Sequence, residues 1–228
     1  MSISGVPKTL SGNQPRAYAA AKFDWGDGGA ATPRTVAAVI LAAGRGSRFG
    51  GDQPKPLARL GRRTMLGHSV AAATAAGLRP IVVVVGYRAD EVAAGAGTLA
   101  EIVVNPDWEQ GLSGSLRAAL AALMPNQSVT AAAVALADQP RIGSQAYRLL
   151  VGAHGAGADL AVATYDGRRG HPVLLGRVHW AEAMKLSGDE GARSLLEAHP
   201  VLEVPCDGTG DAADIDTPDA LEALQTQV

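Results

Sequence analysis

A single cysteine, Cys206, stands in a chain of 228 residues. With one thiol no disulfide can close within the chain, and a multi-cysteine metal site is excluded. Aromatic residues are scarce, and Ala, Val, Leu and Gly fill the apolar positions, as in an α/β protein. A large charge of either sign is also missing. The formal net charge is −2, so nothing global draws the chain to nucleic acid or a membrane surface, and any basic patch has to be local. Long hydrophobic runs are absent: IVVVV (81–85) and AAAVALA (131–137) fall far short of the ~20 residues that span a bilayer. The N-terminus has neither the cationic start nor the apolar block of a secretory signal. A cytoplasmic, reducing location is therefore expected.

The length fits one large domain or two small ones. Residues 1–34 are rich in Pro, Gly, Ser and Asn and show no sustained periodicity. They are expected to form a mobile extension or a loosely docked arm, with a single domain over 35–228. Alternation begins at Val36. VAAVILA (36–42), PIVVVVG (80–86), EIVVN (101–105), AAAVALAD (131–138) and ADLAVATY (158–165) are apolar runs of strand length. Helical spacing separates them at 64–77, 88–96, 113–123 and 144–154, with Ser113 expected as an N-cap and Gly77 as a stop. Strands alternating with helices predict a three-layer α-β-α architecture around a mostly parallel, Rossmann-like sheet. Beyond Gly167 the pattern loosens. HPVLLG is expected as an edge strand, short helices follow, VLEVP is a further strand, and TPDALEALQTQ closes the chain as a helix with Thr217 at its N-cap.

Ligands of open parallel sheets bind beyond the carboxyl ends of the strands. Three segments fall there: the loop after 36–42, the Asp138-Gln139-Pro140 turn, and an expected loop at 166–172. The first, LAAGRGSRFGGDQPKPL (41–57), holds Arg45, Arg48 and Lys55 against one acid, Asp52. Glycines let a backbone approach an anion closely, and successive N–H groups make a concavity for phosphate oxygens. The Gly-Lys-Ser/Thr of a Walker loop is missing. Gly44, Gly46 and Gly50 give GxGxxxG, one residue too long for the dinucleotide pattern. No acid for a ribose follows between Asp52 and Asp90.

The loop resembles the LAAGxGxRxG…K…L segment of the nucleotidyltransferases related to the molybdenum cofactor guanylyl- and cytidylyltransferases. VVVVGYRADEV, NPDWEQGLSGSLRAAL, LADQP, GRRGHPVLL, SGDEGAR and DIDTPDAL are similar to segments of the cytidylyltransferase branch, in the same order. The resemblance implies the nucleotide-diphospho-sugar transferase type of fold. It also implies Mg²⁺-dependent (or Mn²⁺-dependent) transfer of CMP from CTP to the phosphate of a molybdopterin-type cofactor, with release of pyrophosphate. A molybdenum enzyme receiving the product would be a further partner. Ala42-Ala43-Gly44 matches the CTP-using branch, where the guanylyl branch usually carries Ala-Gly-Gly.

By the same resemblance, Leu41, Ala42, Ala43, Gly44, Arg45, Gly46 and Lys55 would wrap the nucleotide, joined by Asn105, Ser113 and Ser115. Arg48, Lys55 and Asp138 would be catalytic. Asp138 and Asp216 would hold the metal, with Asp214 competing for the second place. Arg168, Arg169, Gly170, His171, Pro172, Asp189 and Arg193 would face the acceptor, although Asp189 and Arg193 equally suit a local ion pair. No Ser-His-Asp or Cys-His arrangement is evident, and a phosphate nucleophile, already ionised at pH 7, needs none. Three alternatives stand beside this reading: another phosphorylated acceptor, a nicotinamide-dependent reduction of a dark-blue alkaloid pigment known for relatives of this branch, and a non-catalytic molybdopterin carrier. Loss of Lys55 or Asp138 is expected to abolish turnover with little change in thermal midpoint.

Overall fold

A computed structural model describes residues 35–50 and 52–225. The extension expected over 1–34 and the last residues of the expected closing helix lie outside them. The elements run β1 (Thr35–Ala42), β2 (Arg59–Leu60), β3 (Arg63–Thr64), α1 (Met65–Ala75), β4 (Ile81–Val85), α2 (Ala89–Gly95), β5 (Glu101–Val104), α3 (Leu112–Leu123), β6 (Val129–Leu136), α4 (Ser144–Gly155), β7 (Leu160–Tyr165), β8 (Arg168–Gly176), α5 (Trp180–Ala183), α6 (Arg193–Ala198), β9 (Leu202–Pro205) and α7 (Pro218–Gln225).

Seven strands form one sheet in the order β5-β4-β1-β6-β8-β7-β9. All neighbours are parallel except those of β8, which runs antiparallel to both β6 and β7. The alternation of β1 explains the layers. Val36, Ala38, Ile40 and Ala42 pack with Leu66 and Val70 of α1, Val92 of α2 and Tyr147 and Leu150 of α4. Ala37, Val39 and Leu41 face the opposite way, onto Leu116, Ala119, Leu120 and Leu123 of α3, Trp180 of α5 and Leu195 of α6. Those four α3 residues recur at helical spacing, so one stripe of the helix is apolar and buried. A strand with both faces covered has to be apolar throughout, which is why β1, β4 and β6 read as continuous runs. No helix among the described residues is long and apolar enough to cross a membrane.

The expected edge strand HPVLLG is instead the second part of β8, inside the sheet between β6 and β7, where Val173, Leu174 and Leu175 are buried. Residues 166–172 are correspondingly not a loop. Asp166 and Gly167 make a tight turn with positive φ, and Arg168 already pairs with Tyr165. Because β8 runs against its neighbours, its first residues lie at the carboxyl edge of the parallel strands. Ser113 does not cap α3. Gly111 holds that position with φ +105°, and a Cβ there would stand 2.5 Å from the carbonyl of Gly188. The glycine thus lets residues 187–191 lie against the start of α3, and Ser113 Oγ donates to the Ser187 carbonyl at 3.2 Å.

Candidate active site

The strand order reverses at β1, whose chain continues to β4 on one side while β6 lies on the other. Such a switch point opens a crevice beyond the strand ends, and the loop after β1 and the turn after β6 both enter it. Within the loop, Gly46 has φ +62°, and a Cβ on it would stand 2.8 Å from Lys55 Cβ and 2.9 Å from Lys55 Cδ. Glycine is therefore required twice over, by conformation and by the lysine stem packed on it. Pro54 and Pro56 set Lys55 at the start of a single 3₁₀ turn. The side chain is led inward, leaving the residue 7% exposed.

At its end the ammonium meets two carboxylates. Lys55 Nζ lies 2.7 Å from Asp138 Oδ2 and 2.8 Å from Asp216 Oδ1, so those two oxygens are at most 5.5 Å apart, the sum of the two contacts. Arg48 reaches Asp216 Oδ2 at 3.0 Å from a largely exposed position. The backbone explains why residues so distant in sequence meet. Asp138 lies just past the end of β6, after Ala137, and the Ile215 N–H donates to the Asp138 carbonyl at 2.9 Å. That bond sews the 211–216 segment to the end of the strand. Burial opposes the charge on Lys55, but the hydrogen bonds to Asp138 and Asp216 outweigh it and raise its pKa above the ordinary value. The Lys55 hydrogen bond, with the charges of Lys55 and Arg48, holds the Asp216 carboxyl below the usual range.

Asp214 is not in this clamp. It accepts from Gln139 Nε2 at 2.8 Å, and burial raises its pKa. Among the described residues Asp138 Oδ1 is buried with no hydrogen-bond partner. Two carboxylates from separate segments converging on one cation, with an oxygen to spare, are a hard donor set that fits Mg²⁺ or Mn²⁺.

The remaining expected residues divide. Arg45 lies over the Tyr87 ring at 5.5 Å, away from the clamp. Asn105 is buried, donating to Ser115 Oγ at 3.1 Å and accepting from the Asp107 N–H. The bond to Ser115 ties the end of β5 to the first turn of α3. Next to the clamp lies a cavity of about 910 Å³ whose walls include Leu41, Gln139, Arg168, Arg169, Gly170, His171 and Arg193. Pro172 is buried beneath it. Arg169 pairs with Glu203 on β9, 2.8 Å away. Burial pushes the His171 imidazole down to about 4, with the Asp138 charge opposing that in part. The Tyr165 hydroxyl donates to the His171 carbonyl at 2.9 Å. Asp189 and Arg193 do not pair: Asp189 accepts from the Leu112 N–H at 3.2 Å, and Arg193 faces Glu197. Gln139, Tyr165 and Glu203 were not singled out from sequence. Gln139 alone carried a signal, as the neighbour of Asp138 in LADQP.

A cationic glycine loop and two converging acids thus meet at the switch point of an open α/β sheet. A family model described as the MobA-like NTP transferase domain matches residues 38–204, and the chain belongs to that family. It is 33% identical over 199 residues to the nicotine blue oxidoreductase of Paenarthrobacter nicotinovorans, covering 83% of this chain and 96% of that protein. The crystal structure of an Rv0371c homologue from Mycobacterium sp. strain JC1 superposes with a TM-score of 0.74 at 34% identity, covering 84% of this chain and 96% of that one. Rv0371c from Mycobacterium tuberculosis H37Rv, solved as a complex with manganese, gives 0.69 at 30% identity over 85% of this chain and 100% of that one.

Proposed function

We propose that the protein transfers CMP from CTP to the phosphate of a molybdopterin-type acceptor, releasing pyrophosphate. One observation carries the reading: Lys55 of the glycine loop is held between Asp138 and Asp216, so anion-binding cations and metal-binding acids share a single point. Asp138 and Asp216 would hold the divalent ion, which when bound neutralises charge on the triphosphate and polarises the α-phosphate. Lys55 and Arg48 place two positive charges beside the same position, where charge builds on the leaving pyrophosphate. The backbone of residues 43–50 supplies N–H donors for the phosphates. Ala43, buried at the end of β1, puts a methyl group where the guanylyl-type relatives carry glycine, which favours a pyrimidine over a purine by exclusion.

The acceptor would occupy the neighbouring cavity, with Arg168 and Arg169 on its terminal phosphate and Arg193 on the opposite wall. His171 is neutral at pH 7 and orients the acceptor by hydrogen bonding. An ionised phosphate nucleophile needs no base, so positioning and electrostatics supply the barrier reduction.

A second reading has its own support, the 33% identity to a nicotine blue oxidoreductase. It would make the chain a nicotinamide-dependent reductase and leaves the Asp138–Asp216 pair without a task. One experiment separates the two. Protein, Mg²⁺, molybdopterin-type acceptor and each nucleoside triphosphate are combined and pyrophosphate is followed. Release with CTP and not GTP supports the transferase. Absence of release with every triphosphate, together with NAD(P)H oxidation on a pigment substrate, supports the reductase.

A further inference from the structure

At the opposite edge of the sheet from the Lys55 clamp, three metal-ligating side chains converge. His179 follows the end of β8 and precedes α5, Glu182 lies within α5, and His199 ends α6 just before β9. The His-x-x-Glu spacing stacks His179 and Glu182 on one turn. His199 comes to them from across the layer, its Nε2 2.8 Å from Glu182 Oε2. The two imidazole rings lie 4.8 Å apart at 60°, and one donor atom from each of the three residues lies within 4.8 Å of the others.

We propose that His179, Glu182 and His199 bind a divalent transition-metal ion of the Zn²⁺ type. Two imidazoles and a carboxylate are a donor set that leaves a fourth position for water. Imidazole favours such ions over Mg²⁺, which separates this site from the all-oxygen pair at Asp138 and Asp216. Around a tetrahedral ion with bonds of about 2.0–2.1 Å the donors stand about 3.4 Å apart. The His199–Glu182 pair is already closer than that, and a small rotation of the exposed Glu182 and the half-buried imidazoles closes the wider gap. An ion pair between Glu182 and His199 gives no reason for a second imidazole at the same spot; a shared cation does. The ion would tie α5 to α6, and α6 carries Arg193 and Leu196 into the cavity wall.

The test uses the full chain, freed of metal by chelation. Zn²⁺ is titrated calorimetrically into wild type, His179→Ala, His199→Ala and Asp138→Asn, and Co²⁺ absorbance is recorded for each. The expected result is tetrahedral Co²⁺ bands in both wild type and Asp138→Asn, one Zn²⁺ equivalent in Asp138→Asn, where the acid pair is disabled, and affinity for the tetrahedral site at least ten-fold weaker in both histidine variants. Unchanged Zn²⁺ affinity in the histidine variants, or loss of the tetrahedral bands in Asp138→Asn, would overturn the proposal. Should a histidine variant fail to fold, the Co²⁺ spectrum of Asp138→Asn decides: tetrahedral bands support the site, and weak octahedral absorbance alone overturns it.

Discussion

Lys55 Nζ lies 2.8 Å from Asp216 Oδ1, a contact closed across 161 residues of chain, while Asp138 holds the same ammonium at 2.7 Å. Removing the cation leaves two facing carboxylates. The sequence alone suggested that Lys55 could be replaced at almost no structural cost, and the clamp changes that expectation. Lys55→Met is expected to cost about 1–3 kcal/mol, less than the figure for fully buried pairs because both acids keep some exposure to water. Turnover should fall at least about 100-fold. Thermal melts and pyrophosphate release check both effects, and Asp138→Asn, which leaves Lys55 one counter-charge, should lose activity with the smaller shift in midpoint.

Gly46→Ala places a methyl group 2.8–2.9 Å from the Lys55 stem, at a φ of +62°. The strain is expected to cost about 1–2 kcal/mol. The displaced lysine should lower kcat more than it raises KM for CTP. A steady-state comparison with wild type reads this, and unchanged kcat would free Lys55 from dependence on the glycine.

Arg169 lines the cavity and pairs with Glu203; that pair is partly exposed, so breaking it should cost no more than about 1 kcal/mol of stability. Arg169→Ala is expected to raise KM for the acceptor while KM for CTP stays constant. Equal changes in both constants would remove Arg169 from acceptor binding.

The His171 imidazole, half-buried at the cavity wall, gives stability a pH dependence. Its pKa falls from 6.5 to about 4 in the folded protein. Between those values the unfolded chain binds a proton that the folded one does not, so stability rises with pH across this window and is lost on acidification. The contribution is no more than about 3 kcal/mol. Denaturant titrations from pH 4 to 7 should show a shallower slope for His171→Gln than for wild type. The Lys55 clamp follows a different course: with Asp216 depressed and Lys55 raised, it persists from the ordinary carboxylate range up through the ordinary lysine range.

Most of the sheet was legible because its central strands are apolar on both faces. β1, β4 and β6 have no exposed side to interrupt the run. β8 was not legible as a central strand. Its first half, Arg168 to His171, lines the cavity and is polar, and only Val173 to Leu175 carry the burial signal. The candidate site's place was legible for a topological reason, since Asp138 lies just past the end of β6 and Lys55 belongs to the glycine loop that leaves β1. Their direct contact was not, because a separation of 83 residues leaves no local pattern. Ser113 and Asp189 misled for one cause: each has a cap-like or ion-pair partner in sequence, yet packing of residues 187–191 on α3 supplies a tertiary partner instead.

The central claim is that Asp138 and Asp216 hold one divalent ion beside the nucleotide-binding loop. Electron paramagnetic resonance of Mn²⁺, titrated with and without CTP, tests it directly. The account predicts one Mn²⁺ whose affinity rises in the presence of CTP, and a loss of at least about ten-fold in both Asp138→Asn and Asp216→Asn. Mn²⁺ binding that is indifferent to CTP, or unchanged in both variants, would contradict it.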